Sequence, residues 1–474
     1  MKGLMNFLPI SFFLLPSTAV AQVYSLTQCI EQAWTHHPQI KILEQGNNIS
    51  LEQLEQLKAT AQPSLAFNAA QNMNSGRSID PFTYQFTNET IFSNSFSLSA
   101  SVTLFSGFKF ARSKEQQALM IEANKENIAK IKNDLALSIA NQYLQVILYK
   151  QQISALDTQM AQTQRQYDRE QKLFDAGKSN QNKLLQLKAQ ALNEEVRKTD
   201  LILLHDNALT SLKYAAAFDT KQFDVVIPDI EPVLKSLSDY TFESVYAEAE
   251  KNMASVKYAK ANELYYQKGI AINRAGYYPA LTMSGSLSSG YSSARKQNTF
   301  NTQILDQPLG YLYSNPTEVV YGPVVINSLV QSDYPFGRQV GDNFSQFLGL
   351  NLRVPILTNR NNKTSVQIAQ ISYDRSKTET ENTLLGLKKD IETAMNSYTV
   401  SNVKMQKHVE IVELQKTILK NLETYYNAGN LTLFELISQK NTVQQANASF
   451  LQSQYELVFR KLVLDYYSGK PLVL

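Results

Sequence analysis

Ser95-Phe96-Ser97-Leu98-Ser99-Ala100-Ser101-Val102-Thr103-Leu104 alternates without a break. Side chains of a β-strand point to opposite faces with a period of two, so Phe96, Leu98, Ala100, Val102 and Leu104 share one face and the Ser/Thr residues the other. Shortly afterwards the pattern changes. From about Lys109 to Ala176 the chain is rich in Gln, Lys, Glu, Leu and Ala, holds no proline and reads as one helix. Roughly 68 residues at 1.5 Å each reach about 100 Å, too long for a globular domain, so the element is rod-like and coiled-coil.

The same order of elements occurs twice. Gln62-Pro63-Ser64-Leu65 returns as Tyr278-Pro279-Ala280-Leu281, an offset of 216 that also aligns Leu26 with Phe242, Ile30 with Tyr246 and Ala33 with Ala249. Val102-Thr103-Leu104-Phe105 returns as Val354-Pro355-Ile356-Leu357, an offset of 252. That offset pairs Ala176-Gly177 with Ala428-Gly429, Leu184-Leu185 with Leu436-Ile437, and Lys188 with Lys440. Two internal structural repeats follow, residues 22–217 and 240–469, joined by a linker at 218–239 that contains Pro228 and Pro232. Each repeat opens with a helical stretch of about 36 residues that stops before a Pro-containing strand start. Strands then fall at about 63–74 and 94–105 in the first repeat and about 279–291 and 343–355 in the second. Long helices at about 109–176 and 361–428, then helices at about 180–217 and 431–468, complete the two copies. The change of offset, 36 residues, places one insertion at 292–342. Rich in Tyr, Asn, Pro and Gly, it reads as a long extracellular loop, a freely varying surface segment in preference to a functional lid or partner platform.

The other strand runs carry the same dyad. Leu281, Met283 and Leu287 alternate with Thr282, Ser284, Ser286 and Ser288, and Leu65, Phe67 and Ala69 with Ser64, Ala66 and Asn68. The fourth run is looser: Phe344, Leu348, Leu350, Leu352 and Val354 face one way, Ser345, Gly349, Asn351 and Arg353 the other, and Phe347 is out of pattern. Strands of about ten residues have the length of a tilted transmembrane strand, and an apolar outside with a Ser/Thr inside suits a barrel around a wet lumen. A half-buried sheet in a water-soluble protein alternates in the same way. The N-terminus favours the membrane. Lys2, the apolar run Leu4–Leu15 and Ala19-Val20-Ala21 have the layout of a secretory signal, so residues 1–21 are expected to be removed. That run is short of the roughly 20 residues a spanning helix needs. No later run of uncharged apolar residues is long enough either, and mean hydropathy is -0.28. Entry into a bilayer therefore requires a closed barrel.

Composition excludes other classes. With 45 basic and 42 acidic residues the formal charge is +3, no electrostatic footprint for nucleic acid. The lone Cys29 cannot form an intrachain disulfide and reads as a small buried helix residue. His36, His37, His205 and His408 belong to no His-Glu-x-x-His pair and no zinc spacing. No phosphate-cradling glycine loop and no Gly-x-Ser-x-Gly elbow is present. The expectation is a non-enzyme with no cofactor and no metal.

The chain resembles the TolC family of outer-membrane exit ducts over nearly its whole mature length. The resemblance is carried by Leu26-Thr27-Gln28-Cys29-Ile30-Glu31-Gln32-Ala33 with Pro38 after it, the Pro-x-Leu strand starts at Pro63 and Pro279, the junctions Leu104-Phe105-Ser106-Gly107 and Pro355-Ile356-Leu357-Thr358-Asn359, and the Ala-Gly turns followed by Leu-rich helices. It implies a mixed α and β fold. Three protomers of a homotrimer would give four strands each to a 12-stranded transmembrane β-barrel, continuous with a long periplasmic α-helical coiled-coil barrel. It implies a passive channel of a tripartite efflux system in the outer membrane of a Gram-negative bacterium. A periplasmic adaptor (membrane fusion protein) and an inner-membrane pump or transporter would be its partners, outer membrane lipid its surroundings, and small toxic molecules or drugs its cargo. A type I protein secretion duct is the alternative cargo reading, and a non-channel exported coiled-coil scaffold the alternative class.

The family commonly carries acidic residues just after the tip glycine, forming a constriction. Counting from Gly177 and Gly429 gives Lys183 and Glu435 at the first such position, then Gln186 and Ser438 one turn on. This departs from an all-acidic ring and suggests that Lys183 and Glu435 pair to hold the narrow end shut; solvated helix charges are the plainer alternative. The turns at Ala176, Gly177, Ala428 and Gly429 are the expected adaptor contact, with glycine as a left-handed helix C-cap.

Overall fold

The structure, a computed structural model, describes residues 22–80, 82, 84–88, 90–220, 222–235 and 240–473. The expected signal segment, residues 1–21, lies outside them. In chain order the elements are β1 (Gln22–Tyr24), α1 (Leu26–His36), α2 (Pro38–Ala59), β2 (Ser64–Asn74), β3 (Ser78–Ile79), β4 (Phe86–Thr87), β5 (Ile91–Ser106), α3 (Lys109–Asp175), α4 (Gln181–Ala215), β6 (Phe223–Val225) and α5 (Glu231–Lys235). There follow α6 (Phe242–Asn252), α7 (Ala254–Arg274), a 3-10 turn (Ala275–Tyr277), β7 (Ala280–Ser292), β8 (Lys296–Leu312), β9 (Asn315–Asp333), α8 (Phe336–Asp342), β10 (Ser345–Arg353), α9 (Asn361–Asn427) and α10 (Leu433–Tyr467). Helices α3 and α9 have 67 residues each, α4 and α10 have 35 each. Among the described residues no helix is long and apolar enough to cross a membrane. The chain divides into two compact units: residues up to 51 with 119–265 and 374 onward, and residues 52–118 with 266–373.

The first unit is built of helices around a small parallel pair, β1 and β6. Tyr143 crosses its core almost fully buried and donates its hydroxyl to the carbonyls of Val226 (2.7 Å) and Tyr24 (3.2 Å). Burial pushes that phenol's pKa up, so it stays a donor. Cys29 is buried in the same cluster, where burial pushes its thiol up to about 12 and leaves it unreactive. Asp465, also buried, accepts from Tyr240 (2.8 Å), Lys461 (2.8 Å) and Lys470 (3.2 Å). Desolvation alone would raise its pKa; the three donors outweigh it and hold the carboxyl below its ordinary value.

The opening helical stretch of each half, expected as one piece, is two helices. His37 (φ -65°, ψ 126°) and Met253 (φ -64°, ψ 127°) leave the helical region at matching places. Pro38 explains the first break, because proline disfavours helical geometry in the residue before it and is welcome at a helix start. Ala254 follows the second break, so proline is not required. Val245 and Ala249 before that break and Val256 after it are buried in one cluster with Leu387 and Ile391, and packing on both sides holds the bend.

Helices α3, α4, α9 and α10 all end alike. Beyond α3 the Gly177 N–H donates to Phe174 and the Lys178 N–H to Leu173; beyond α9 Gly429 donates to Tyr426 and Asn430 to Tyr425. These are Schellman caps, which need a left-handed residue after the helix. Gly177 (φ 70°), Gly429 (φ 79°) and Gly469 (φ 76°) adopt it freely, and Ala217 (φ 58°) adopts it against its Cβ.

The second unit contains a four-stranded antiparallel sheet in the order β10-β7-β5-β2. Its register sorts the two faces. One face carries the rows Leu350–Met283–Val102, Leu348–Gly285–Ala100–Leu65 and Leu287–Leu98–Phe67; the other carries Asn351–Thr282–Thr103 and Ser345–Ser288–Ser97–Asn68. One sequence expectation changes here. A bulge between Thr103 and Phe105 sets Phe105, not Leu104, opposite Leu281, because the extra residue reverses the alternation beyond it. The segment at 292–342, expected as a loop, carries the antiparallel ribbon β8–β9 and the helix α8. At its root Asp80, Ser292 and Gln339 are fully buried together: Ser292 donates its hydroxyl to Asp80, and Gln339 bonds the Ser292 backbone on both sides at 3.0 Å.

Each sheet-to-helix junction uses two successive left-handed residues, Gly107 (φ 64°) and Phe108 (φ 63°) before α3, Asn359 (φ 46°) and Arg360 (φ 63°) before α9. A Cβ on Gly107 would lie 2.7 Å from the Tyr278 Cβ and 3.0 Å from the Ala275 carbonyl, whereas one on Gly177 meets nothing within 4 Å. Gly107→Ala should therefore lower unfolding stability by about 1–3 kcal/mol and Gly177→Ala by about 1 kcal/mol or less. Urea midpoints of the two variants in detergent check this; equal losses would show that the close approach at Gly107 is not a constraint.

Candidate functional site

The turns at Ala176-Gly177 and Ala428-Gly429 lie in the first unit and bring residues from distant parts of the chain together. Asn180 caps α4 by accepting the Lys183 N–H on its side-chain oxygen at 3.0 Å. The half-buried Lys183 side chain sets its ammonium 5.9 Å from the ring of Tyr426, in the last turn before Gly429. So the first turn's helix start and the second turn's helix end are joined by a cation–π contact. Burial, then the nearby Glu170 charge, raises the Tyr426 pKa, against Arg169.

Glu435 has a different occupation. It stands at the third position of α10 and closes a capping box: its carboxylate accepts the Thr432 N–H (3.0 Å) and hydroxyl (2.7 Å), while the Glu435 N–H donates to the Thr432 hydroxyl at 3.3 Å. The Thr432 hydroxyl, then its backbone N–H, holds the Glu435 carboxyl below the ordinary carboxylate range. Gln186 and Ser438 are exposed on α4 and α10. Within the single chain the structure brings Lys183 to Tyr426 and Glu435 to Thr432. The Thr432-x-x-Glu435 spacing is itself a capping signature that could have assigned Glu435 from sequence.

Deeper in the helical wall is a polar cluster that sequence reasoning missed. Glu194 is buried, and one of its oxygens accepts from Gln190 (2.7 Å), Thr163 (2.9 Å) and Gln159 (3.3 Å). Gln190 also donates to Asn441 of α10 at 2.8 Å, so α3, α4 and α10 share one hydrogen-bond network. Lys440 lies 3.8 Å from Glu423; desolvation lowers its pKa, opposed by the charges of Glu423 and Glu194. Helical periodicity marks a stripe as inward but does not say that polar residues in it find one another.

In the second unit the chemistry belongs to the sheet. Serine rungs cross it, with Ser64 and Ser101 hydroxyls 3.0 Å apart and Ser288 and Ser345 2.7 Å apart. Its outer strands are β2 and β10. On the apolar side Leu65, Phe67, Leu348, Leu350 and Leu352 are each more than 60% exposed, so apolar surface is bare on a sheet whose edges are open.

A two-faced sheet joined through left-handed junctions to long paired helices defines an outer-membrane channel of the TolC kind. The chain belongs to the outer membrane efflux protein family, which matches residues 29–217 and 245–469. Its place is the outer membrane, with the helical part in the periplasm. It is similar to the outer membrane protein TolC of Vibrio cholerae, 20% identical over 447 residues that cover 93% of this chain and 89% of that protein. Among solved structures it resembles the outer membrane protein VceC of Vibrio cholerae (TM-score 0.70, 12% identity, 94% of this chain and 96% of that one). It also resembles the Campylobacter jejuni CmeC outer membrane channel (TM-score 0.71, 14% identity, 94% and 85%).

Because the Glu435 pKa is lowered in the folded chain, the stability it lends α10 is fully present above the ordinary carboxylate value near 4.3 and is lost as pH falls through the lowered folded value. Amide-exchange protection in the first turn of α10 should drop over that acid range in the native protein and stay flat in Glu435→Gln, starting lower. A native profile as flat as the variant's would dismiss the capping role.

Proposed function

We propose that three copies of this chain close a 12-stranded β-barrel, the free edge of β10 in one protomer pairing with the free edge of β2 in the next. The observation that carries this reading is the four-stranded sheet with open edges, apolar on one face and serine-lined on the other. Four strands cannot close a barrel, and unpaired N–H and C=O groups have no partner in hydrocarbon, so the edges must find copies of each other. The Leu, Phe, Val and Met face then meets lipid and the Ser/Thr/Asn face lines a wet lumen. Residues 1–21 act as the export signal, the two repeats supply matching strands and helices, and the ribbon within 292–342 stands on the extracellular side.

In this reading the protein is a passive conduit for small molecules. It carries no energy source; an inner-membrane pump supplies the work, and a periplasmic adaptor engages the turns at Ala176, Gly177, Ala428 and Gly429. Lys183, Gln186, Glu435 and Ser438 stand at the periplasmic constriction. The Lys183 contact to Tyr426 and the Glu435 cap hold the two turns in shape, and across the threefold axis these opposite charges favour a shut tip.

Two measurements test the proposal. Fractionated cells should place the protein in the outer membrane, and detergent extracts should run as a trimer that heat converts to monomer; a water-soluble monomer ends the reading. Single-channel recordings should show more frequent opening for Lys183→Ala and for Glu435→Ala than for the native trimer. Unchanged opening and leak in both would remove these residues from the gate and leave the channel standing.

A further inference from the structure

Arg353 is the one charged residue in the four strands of the sheet. It ends β10 on the rung Arg353–Ala280–Ser106, whose parity is that of Ser284, Ser286, Ser99 and Ser101, so it belongs to the polar face. Beside this rung a groove of about 750 Å³ opens, lined by Arg353, Lys109, Asn273, Asn359, Asn361 and Asn362 among others, and none of its lining residues is acidic. The surrounding chain is free of carboxylates too: residues 100–114, 264–305 and 353–373 contain no Asp or Glu. Among the described residues the acidic side chains that form ion pairs in this unit, Glu55, Glu115, Asp333 and Asp342, are taken by Lys58, Lys268, Lys296 and Arg295.

Such a wall gives one side chain unusual weight. Hydroxyls and amides hydrate a passing solute without preferring a sign, so the field in this groove is positive, led by Arg353 and Lys109, the basic residues that line it, and reinforced by Arg112, Lys114, Arg274, Arg360 and Lys363 in the adjoining chain. Twelve strands about 4.8 Å apart and tilted about 40° enclose a backbone circle about 24 Å across. A guanidinium reaching inward from that wall comes within a Debye length of the axis, about 10 Å at 0.1 M salt. Rings of Arg or Lys are how anion pores select, and the planar guanidinium fork matches carboxylate and phosphate oxygens in pairs.

We propose that the three Arg353 side chains of the trimer, with Lys109 in the adjoining groove, form a cationic collar that makes the junction end of the barrel selective for anions. The exported molecules it favours are organic anions bearing carboxylate, sulfonate or phosphate groups, in preference to cations. This rests on the reading that the serine face lines the lumen. The collar adds a site in the barrel to the constriction at the helical tip.

The test is the reversal potential of purified trimers in planar bilayers across a KCl gradient. Native channels should favour chloride over potassium. Arg353→Gln should lower the chloride-to-potassium permeability ratio by at least about twofold, Arg353→Lys should keep it, and Lys109→Gln should lower it by less. A native preference for potassium, or an unchanged ratio in conducting Arg353→Gln trimers, overturns the collar and leaves the channel intact. If Arg353→Gln does not assemble, an unchanged ratio in Lys109→Gln overturns it equally. Native trimers that conduct nothing overturn the channel reading itself, and the collar with it.

Discussion

Hydrocarbon offers no partner to a peptide N–H or C=O group, and the sheet β10-β7-β5-β2 leaves two rows of them along its outer strands. Much else in the second unit is intelligible from that constraint. In the proposed barrel a strand between lipid and water would be free to alternate but not to carry charge on its oily side, and β2, β5 and β7 carry none at all. The polar side is furnished with hydroxyls, which satisfy one another across rungs such as Ser64–Ser101 and Ser288–Ser345 and still bond to water. A single chain has no means of covering the exposed leucines of β10 or the outer edge of β2, so the proposed trimer is a consequence of hydrogen bonding before it is a matter of function.

The helices meet the same demand by a different route. Every helix leaves its last carbonyls unpaired, and four of the long ones finish with the same left-handed cap, which turns the chain and bonds those carbonyls in one step. Glycine supplies the left-handed residue at three of these ends and Ala217 at the fourth, where the backbone accepts strain that Gly469 avoids at the corresponding place. The sheet-to-helix junctions repeat this economy of means. Gly107-Phe108 and Asn359-Arg360 occupy the same two backbone states, although only the first contains a glycine; at Gly107 Tyr278 approaches too closely for a Cβ.

Those differences explain what could be read from the sequence. The runs at Leu65–Ala69, Ser95–Leu104, Leu281–Ser288 and Phe344–Val354 overlap β2, β5, β7 and β10, since a sheet with one apolar and one polar face writes its period directly into the chain. Unbroken stretches without proline mark α3 and α9 equally directly. The Leu104 bulge was hidden because both Leu104 and Phe105 are apolar and either could continue the dyad. The break at Met253 was hidden because packing, not proline, makes it. Spacing from glycine singles out Lys183 and Glu435 but says nothing of their neighbours. Tyr426 reaches Lys183 only through the fold, and the partner of Glu435 is three residues away, in the Thr-x-x-Glu pattern of a capping box.

The ribbon β8–β9 shows why composition misleads at the other extreme. Pro308, Pro316 and Pro323, with many Asn and Tyr residues, look like an irregular loop, yet the strands pair from Lys296–Asp333 to Leu312–Asn315. A two-stranded ribbon is marginal alone in water, and this one exposes Phe300, Ile304, Tyr321 and Val325. Its register must therefore be set at the root. There Arg295 stacks on Tyr334 (4.7 Å) and bonds Asn343 (2.7 Å), and the buried Asp80–Ser292–Gln339 knot ties the chain on both sides of the ribbon to the end of β7. A buried carboxylate is costly unless its oxygens are met. Here Ser292 and the Phe82 N–H (3.0 Å) meet them, so the expense of burying Asp80 is converted into a fixed point of departure. Order in the ribbon is inherited from that point, and residues chosen for a root more than two hundred positions apart in sequence leave no local pattern by which to recognise it.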